Sequence, residues 1–204
     1  MPKEISAAPR QGLFASLGDM IGLITLLWVI EGVDTVLRFM NLTIDGFGIH
    51  PRNLWSLPCI FTAPFLHGGW DHLIANSVSL LILGTLSMWY SRRQYLLALG
   101  YAVVLGGLFT WLVAPPGGVH IGASGVCFGL MGLLLGNGLF RRRFGAILLA
   151  LVVAVLFGGT LYLALPSETT STHHISWQMH LGGFIGGLLA SYTSREQRLT
   201  RKVA

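Results

Sequence analysis

Apolar residues along the chain gather into six runs, 17–39, 72–90, 94–114, 123–140, 144–165 and 177–193, each bounded by charge, proline or clustered glycine. Each is close to the roughly 20 residues that cross about 30 Å of hydrocarbon. A barrel strand would alternate apolar and polar positions over about 10 residues, whereas Gly145 to Phe157 is apolar on every side. The pattern predicts an all-α, polytopic membrane protein of six transmembrane helices. Composition closes off the alternatives. With 53% hydrophobic and 10% charged residues, the chain lies far from the roughly 25% charged average of soluble domains. Two cysteines cannot staple a chain of this length, and 27 glycines without a three-residue period are not collagen.

Charge then orients the helices. A formal charge of +5 would suggest nucleic acid in a soluble protein, but here the basic residues punctuate apolar runs, so no nucleic-acid partner is expected. Lys3, Arg10, Arg92, Arg93, Arg141, Arg142, Arg143, Arg195, Arg198, Arg201 and Lys202 fall on one side, and Arg38 and Arg52 on the other. By the retention of positive residues in cytoplasmic loops, both termini are expected in the cytoplasm. Segments 40–71, 115–122 and 166–176 are then expected outside, with the chain in a plasma membrane of the bacterial inner type. The expected division is a cytoplasmic segment 1–16, a membrane domain 17–193 and a basic tail 194–204. On anionic headgroups that tail gains about 1 kcal/mol per basic residue. Glu31, Gly32 and Asp34 follow the apolar core of the first run without a small-x-small cleavage site, so it reads as a retained helix and not a signal peptide. Cys59 in an outer loop and Cys127 in the fourth run read as unbridged packing residues, and Trp89 and Tyr90 as interfacial anchors.

Polar groups inside a bilayer are costly, so they mark candidate chemistry. Ser124 follows Pro115-Pro116-Gly117-Gly118, which cannot continue a helix, and therefore falls in the first turn of the fourth run. The orphan N–H groups and dipole of that turn suit an anion such as the oxyanion of an acyl intermediate. A lone serine there is more often a plain cap. His180 supplies a contrast, because a serine hydroxyl needs a base within reach, most often a neutral imidazole. Gly183 and Gly187 lie below His180 on one helical face, and Gly125, Gly129, Gly132 and Gly136 line the fourth run. Small residues let membrane helices approach closely, and packing these faces brings Ser124 and His180 to one depth. His72 and Asn76, four apart near the outer end of the second run, share a face, and both donate hydrogen bonds.

Together these residues make the chain resemble the rhomboid intramembrane serine proteases. The likeness rests on His67-x4-His72-x3-Asn76, on Gly122-Ala123-Ser124-Gly125, and on His180-Leu181-Gly182-Gly183 running to Gly187, in order on the second, fourth and sixth helices. It implies a six-helix rhomboid-like bundle and a serine-type endopeptidase that cleaves transmembrane protein substrates by a Ser/His dyad. By it Ser124 is the nucleophile and His180 the base and acid. His72, Asn76 and the Ser124 N–H hold the oxyanion, and no cofactor or metal is called for. His67 would support the outer loop, with Gly122, Gly125, Phe128, Gly183 and Gly187 as structural support. Substrate would arrive laterally between the second and fifth helices, with 166–176 as a lid, and be cut where its helix frays near the outer leaflet at small residues. Two departures stand out. The family's aromatic-Arg pair, nine residues before the first histidine, falls here on Pro58 and Cys59, with Trp55 nearby and no arginine beside it. Its tyrosine four residues after the nucleophile is Phe128, expected to pack under His180 and to restrain that ring less.

The remaining polar residues have plainer readings. Asp34 and Arg38 have the spacing of a local ion pair which, with Glu31, marks the interfacial end of the first helix. His120 reads as a solvated loop histidine. His173 and His174 belong to a wet stretch before the sixth helix, without further ligands at metal spacing. A catalytically inactive, rhomboid-like binder of membrane proteins is the rival class. A transporter would show inverted repeats and midplane charge, which this chain lacks. No sequence feature speaks to oligomeric state.

Overall fold

The computed structural model describes residues 12–141, 143–167 and 175–203, the last nine by backbone alone. Its helices are α1 (Leu13–Phe39), α2 (Trp70–Ser79), α3 (Thr85–Val113), α4 (Ser124–Arg141), α5 (Phe144–Phe157) and α6 (Trp177–Val203). A π-helical turn, Leu80–Gly84, joins α2 to α3, and a 3-10 segment, Gly158–Ala164, prolongs α5. Among the described residues no strand forms, as the all-α expectation requires.

Four stretches are long and apolar enough to cross a membrane: Leu13–Phe39, Trp70–Val113, Ser124–Arg141 and Phe144–Ala164. The second has 44 residues. At 1.5 Å per residue that is roughly two bilayer thicknesses. It divides at Ser91, where φ −167° and ψ 108° leave the helical region, so the predicted second and third spans are the two parts of one hydrogen-bonded run. Polar groups explain why α6 lies outside that set. It carries buried Gln178, His180, Ser191 and Ser194, which belong in a bundle interior and not against lipid.

Helix α6 packs between α4 and α3. Two glycine faces make this possible. On one, a methyl group at Gly183 would fall on the Gly125 carbonyl and one at Gly187 on the Gly129 carbonyl. On the other, methyls at Gly182 and Gly186 would stand 2.8 Å from the α3 backbone, at Gly106 and Tyr101. Sequence reading found the first face and missed the second, although Gly182 and Gly186 carry the same i,i+4 signal. At the arginine end the seam is closed by a buried oxygen, Asn137 Oδ1, which accepts from Gln94 Nε2 (3.1 Å), Ser191 Oγ (2.9 Å) and Arg141 Nε (2.8 Å). This ties α3, α4 and α6 together in a place where an unpaired amide would be costly.

The opposite end carries the 40–69 loop, built of three 3-10 turns, Asp45–Phe47, Leu54–Ile60 and Ala63–Phe65. Its anchoring corrects two expectations. Arg38, Asp34 and Glu31 are more than an interfacial pair: Glu31 and Asp34 are each 1% exposed, and the Arg38 guanidinium lies 2.6 Å from Asp34, 2.9 Å from Asp45 and 3.6 Å from Glu31. Asp34 Oδ1 also accepts from the Ile44 N–H at 2.7 Å, so α1 holds the start of the loop. Arg52, at φ 61° and read from the sequence only as an outer-side charge, donates from Nη2 to the Ala114 carbonyl at 2.8 Å and so ties the loop to the end of α3. The Trp111 indole adds a bond to the Asn53 carbonyl at 2.9 Å. Both thiols, Cys59 and Cys127, are free.

Candidate active site

Ser124 opens α4, and His180 lies in the first turn of α6, both at the loop end of the glycine seam. The His180 Nε2 to Ser124 Oγ distance is 2.9 Å. The other ring nitrogen, Nδ1, lies 2.9 Å from the Leu163 carbonyl. A carbonyl only accepts, so Nδ1 carries the proton and Nε2 presents its lone pair to the serine hydroxyl. That is the orientation a general base requires. Leu163 lies in the last turn of the 3-10 segment after α5, where carbonyls run out of intrahelical partners, and this leaves one to hold the imidazole. Phe128, one turn below Ser124, stacks on the His180 ring at 4.3 Å between centroids and 7° between planes. The ring is therefore held on an edge and a face.

On the other side of the nucleophile loop stand His72 and Asn76, one helical turn apart on α2. Gly122 has φ 118°, a conformation that favours glycine, and a methyl group there would lie 2.5 Å from His72 Cε1 and 3.6 Å from Asn76 Nδ2. The imidazole edge and the amide thus converge on the backbone two residues before Ser124. Asn76 is 5% exposed, and its Nδ2 is a buried donor without a hydrogen-bond partner. A buried N–H group left unpaired costs free energy, and such groups collect at functional sites. Beside the loop, Ile49, Ile60, Ala63, Val103, Gly122 and Met179 line a small apolar pocket.

His67 is placed beneath this loop. It is 1% exposed, its ring meets the His72 ring edge-on at 5.2 Å, and its Nε2 receives the Ala123 N–H at 3.5 Å. Its carbonyl accepts from Arg38 at 3.2 Å, which links the α1 charge network to the site. Burial above all, with His72 adding, pushes the His67 ring down from 6.5 to about 4. The folded chain therefore binds fewer protons here than the unfolded chain between those two values. The contribution is complete above pH 6.5 and is lost as pH falls toward 4, amounting to about 3 kcal/mol over the window. Thermal unfolding in detergent should show this acid loss in the wild type and a flatter pH dependence in His67→Gln. An unchanged slope would assign it to other groups.

His120 departs from its reading as a solvated loop residue. It is partly buried, bridges Ile49 through paired backbone hydrogen bonds of 3.0 Å, and its Nδ1 lies 2.8 Å from Ser176 Oγ. Burial, with His50 close by, lowers its pKa. His173 and His174, with most of the expected lid, lie outside the described residues, as do Lys3, Arg10 and Arg142. Among the described residues no group of three His, Cys, Asp or Glu side chains is arranged to hold a metal ion.

Comparison with known proteins bears on this geometry. The family model described as the Rhomboid domain matches residues 51–197, which takes in Ser124, His180, His67, His72, Asn76 and Phe128 and leaves α1 outside. An uncharacterized protein of Mycobacterium tuberculosis (strain ATCC 25618 / H37Rv), Rv1337, is 37% identical over 83% of this chain and 71% of its own. YdcA of Bacillus subtilis (strain 168), whose name includes the words rhomboid protease, is 29% identical over 78% of this chain and 77% of its own. RHOMBOID-like protein 1 of Arabidopsis thaliana is 27% identical over 74% of this chain and 39% of its own.

Proposed function

The chain belongs to the rhomboid family and is an integral membrane protein, and from that premise we propose that it is a serine endopeptidase acting on transmembrane segments of other proteins. The observation that carries the reading is the hydrogen bond of 2.9 Å between His180 Nε2 and Ser124 Oγ, with Nδ1 held by a carbonyl.

In this reading His180 Nε2 takes the Ser124 proton as Oγ attacks the scissile carbonyl carbon. The carbonyl oxygen becomes an oxyanion, met by the Ser124 N–H, the His72 imidazole N–H and Asn76 Nδ2. The C–N bond then breaks, and His180 passes its proton to the leaving amine. Water, deprotonated by the same ring, releases the acyl chain. The unpaired Asn76 amide supports this role, because a donor held in place beforehand costs no reorganisation when charge develops. The pocket beside Gly122 suits a small apolar side chain, in keeping with cleavage at small residues. α5 packs on α4 and exposes Val155 and Leu156, while α2 exposes Ile74 and Val78, so a substrate helix can lie along these faces to reach the site. With both termini in the cytoplasm, the site opens to the outer face of a bacterial inner membrane.

His72→Ala and Asn76→Ala should each lower kcat by about 10² to 10³ with little change in KM. A rise in KM alone would mark them as ground-state binders. The reading itself is tested by labelling the purified protein with a fluorophosphonate, which reacts only with an activated serine. Labelling confined to Ser124 is expected. A folded wild-type protein that does not label overturns the enzyme and leaves an inactive module that binds membrane proteins.

A further inference from the structure

A second Ser–His pair lies beside the first. His120 is four residues before Ser124 and Ser176 four before His180, so both pairs are 56 apart in sequence. The two distances are 2.8 Å for His120 Nδ1 to Ser176 Oγ and 2.9 Å for His180 Nε2 to Ser124 Oγ. His120 does not depend on α6 for its own position. Its backbone is bonded both ways to Ile49, and two residues on the Gly122 N–H donates to the Ala63 carbonyl at 2.8 Å. A methyl group at Gly48 would meet Val119 Cγ1 at 2.6 Å, so the 40–69 loop and the segment before the nucleophile are closely fitted. Ser176 immediately precedes α6, and its carbonyl accepts the His180 N–H at 3.2 Å, one of the first bonds of that helix. The first turn of a helix lacks half its backbone partners, and the close glycine contacts of α6 with α4 and α3 reach up only to Met179, three residues after Ser176.

We propose that His120 and Ser176 are positioning residues, whose bond fixes the start of α6 against the nucleophile loop and so holds His180 Nε2 in reach of Ser124 Oγ. This rests on the protease reading above. Neither residue touches the reacting atoms. Their effect passes through the placement of His180, where a shift of about 1 Å can cost on the order of 10²-fold in rate. The clasp also joins three parts of the loop end, since its histidine lies in the loop before α4 and is bonded through its backbone to Ile49 of the 40–69 loop, and its serine immediately precedes α6.

The test is a double-mutant cycle on the rate of fluorophosphonate labelling, with wild type, His120→Ala, Ser176→Ala and the double variant of the full chain in detergent. Each single change should slow labelling by about 10 to 10²-fold, and the double variant should be no slower than the slower single, because either change removes the same bond. Ser176→Thr keeps the hydroxyl and should restore most of the rate, which a general loss of packing would not allow. Singles that multiply in the double variant, or a Thr variant as slow as Ala, overturn the clasp while leaving the protease standing. A wild type that never labels overturns both.

Discussion

Ser124→Ala and His180→Asn should each reduce cleavage of a transmembrane reporter by about 10⁴-fold or more, with an unfolding transition close to wild type. The serine change deletes only an oxygen from a half-buried helix start, so the fold has little reason to respond. The chemistry has every reason: water must then attack unaided, and what remains is the contribution of binding and oxyanion donors. His180→Asn keeps a donor for the Leu163 carbonyl but has no group at the position of Nε2, which lies 2.9 Å from Ser124 Oγ. Because nucleophile and base act as one unit, the double variant should be no slower than Ser124→Ala. Kinetics in liposomes decide the matter, and a Ser124→Ala rate within tenfold of wild type would remove the nucleophile from the mechanism.

Sequence made the helices legible because a bilayer demands long apolar runs, and it made the Ser124–His180 pairing legible because Gly183 and Gly187 repeat at one helical turn below the histidine. What it hid has a common physical character. The Leu163 carbonyl that orients the base is backbone, and backbone geometry carries no residue code. The bond from His120 to Ser176 joins two loop positions without periodicity, so nothing along the chain marked them as neighbours. Arg38 looked like half of a local pair because Asp34 is four residues away, yet the same guanidinium reaches Asp45 and the His67 carbonyl across the loop. Arg52 entered the topology only as a charge, although its donation to Ala114 holds the 40–69 loop to the end of α3. The break at Ser91, by contrast, was announced by Arg92 and Arg93, which already separated the second run from the third.

Gly187→Leu should abolish reporter cleavage and lower the thermal unfolding midpoint, although it stands two turns below the base. A single methyl at Gly187 would fall on the Gly129 carbonyl and come within 2.7 Å of the Leu133 nitrogen, and both are backbone atoms that no rotamer change can move. The helices must therefore part. A carbon-to-oxygen contact needs more than 3 Å, so accommodating even the first carbon separates the axes by about 1 Å or more, and the rest of a leucine adds to this. A hydrogen bond weakens steeply beyond about 3.2 Å, and misplacement by about 1 Å costs on the order of 10²-fold, so an expected loss of at least 10³ for leucine follows from geometry alone. Gly187→Ala should fall between, because one carbon displaces the seam less than four. The control is Gly100→Leu in α3, where no atom lies within 4 Å of the added carbon, and which should cleave at the wild-type rate. Were Gly187→Leu to cleave as fast as Gly100→Leu, the close seam between α4 and α6 would not be what brings serine and histidine together.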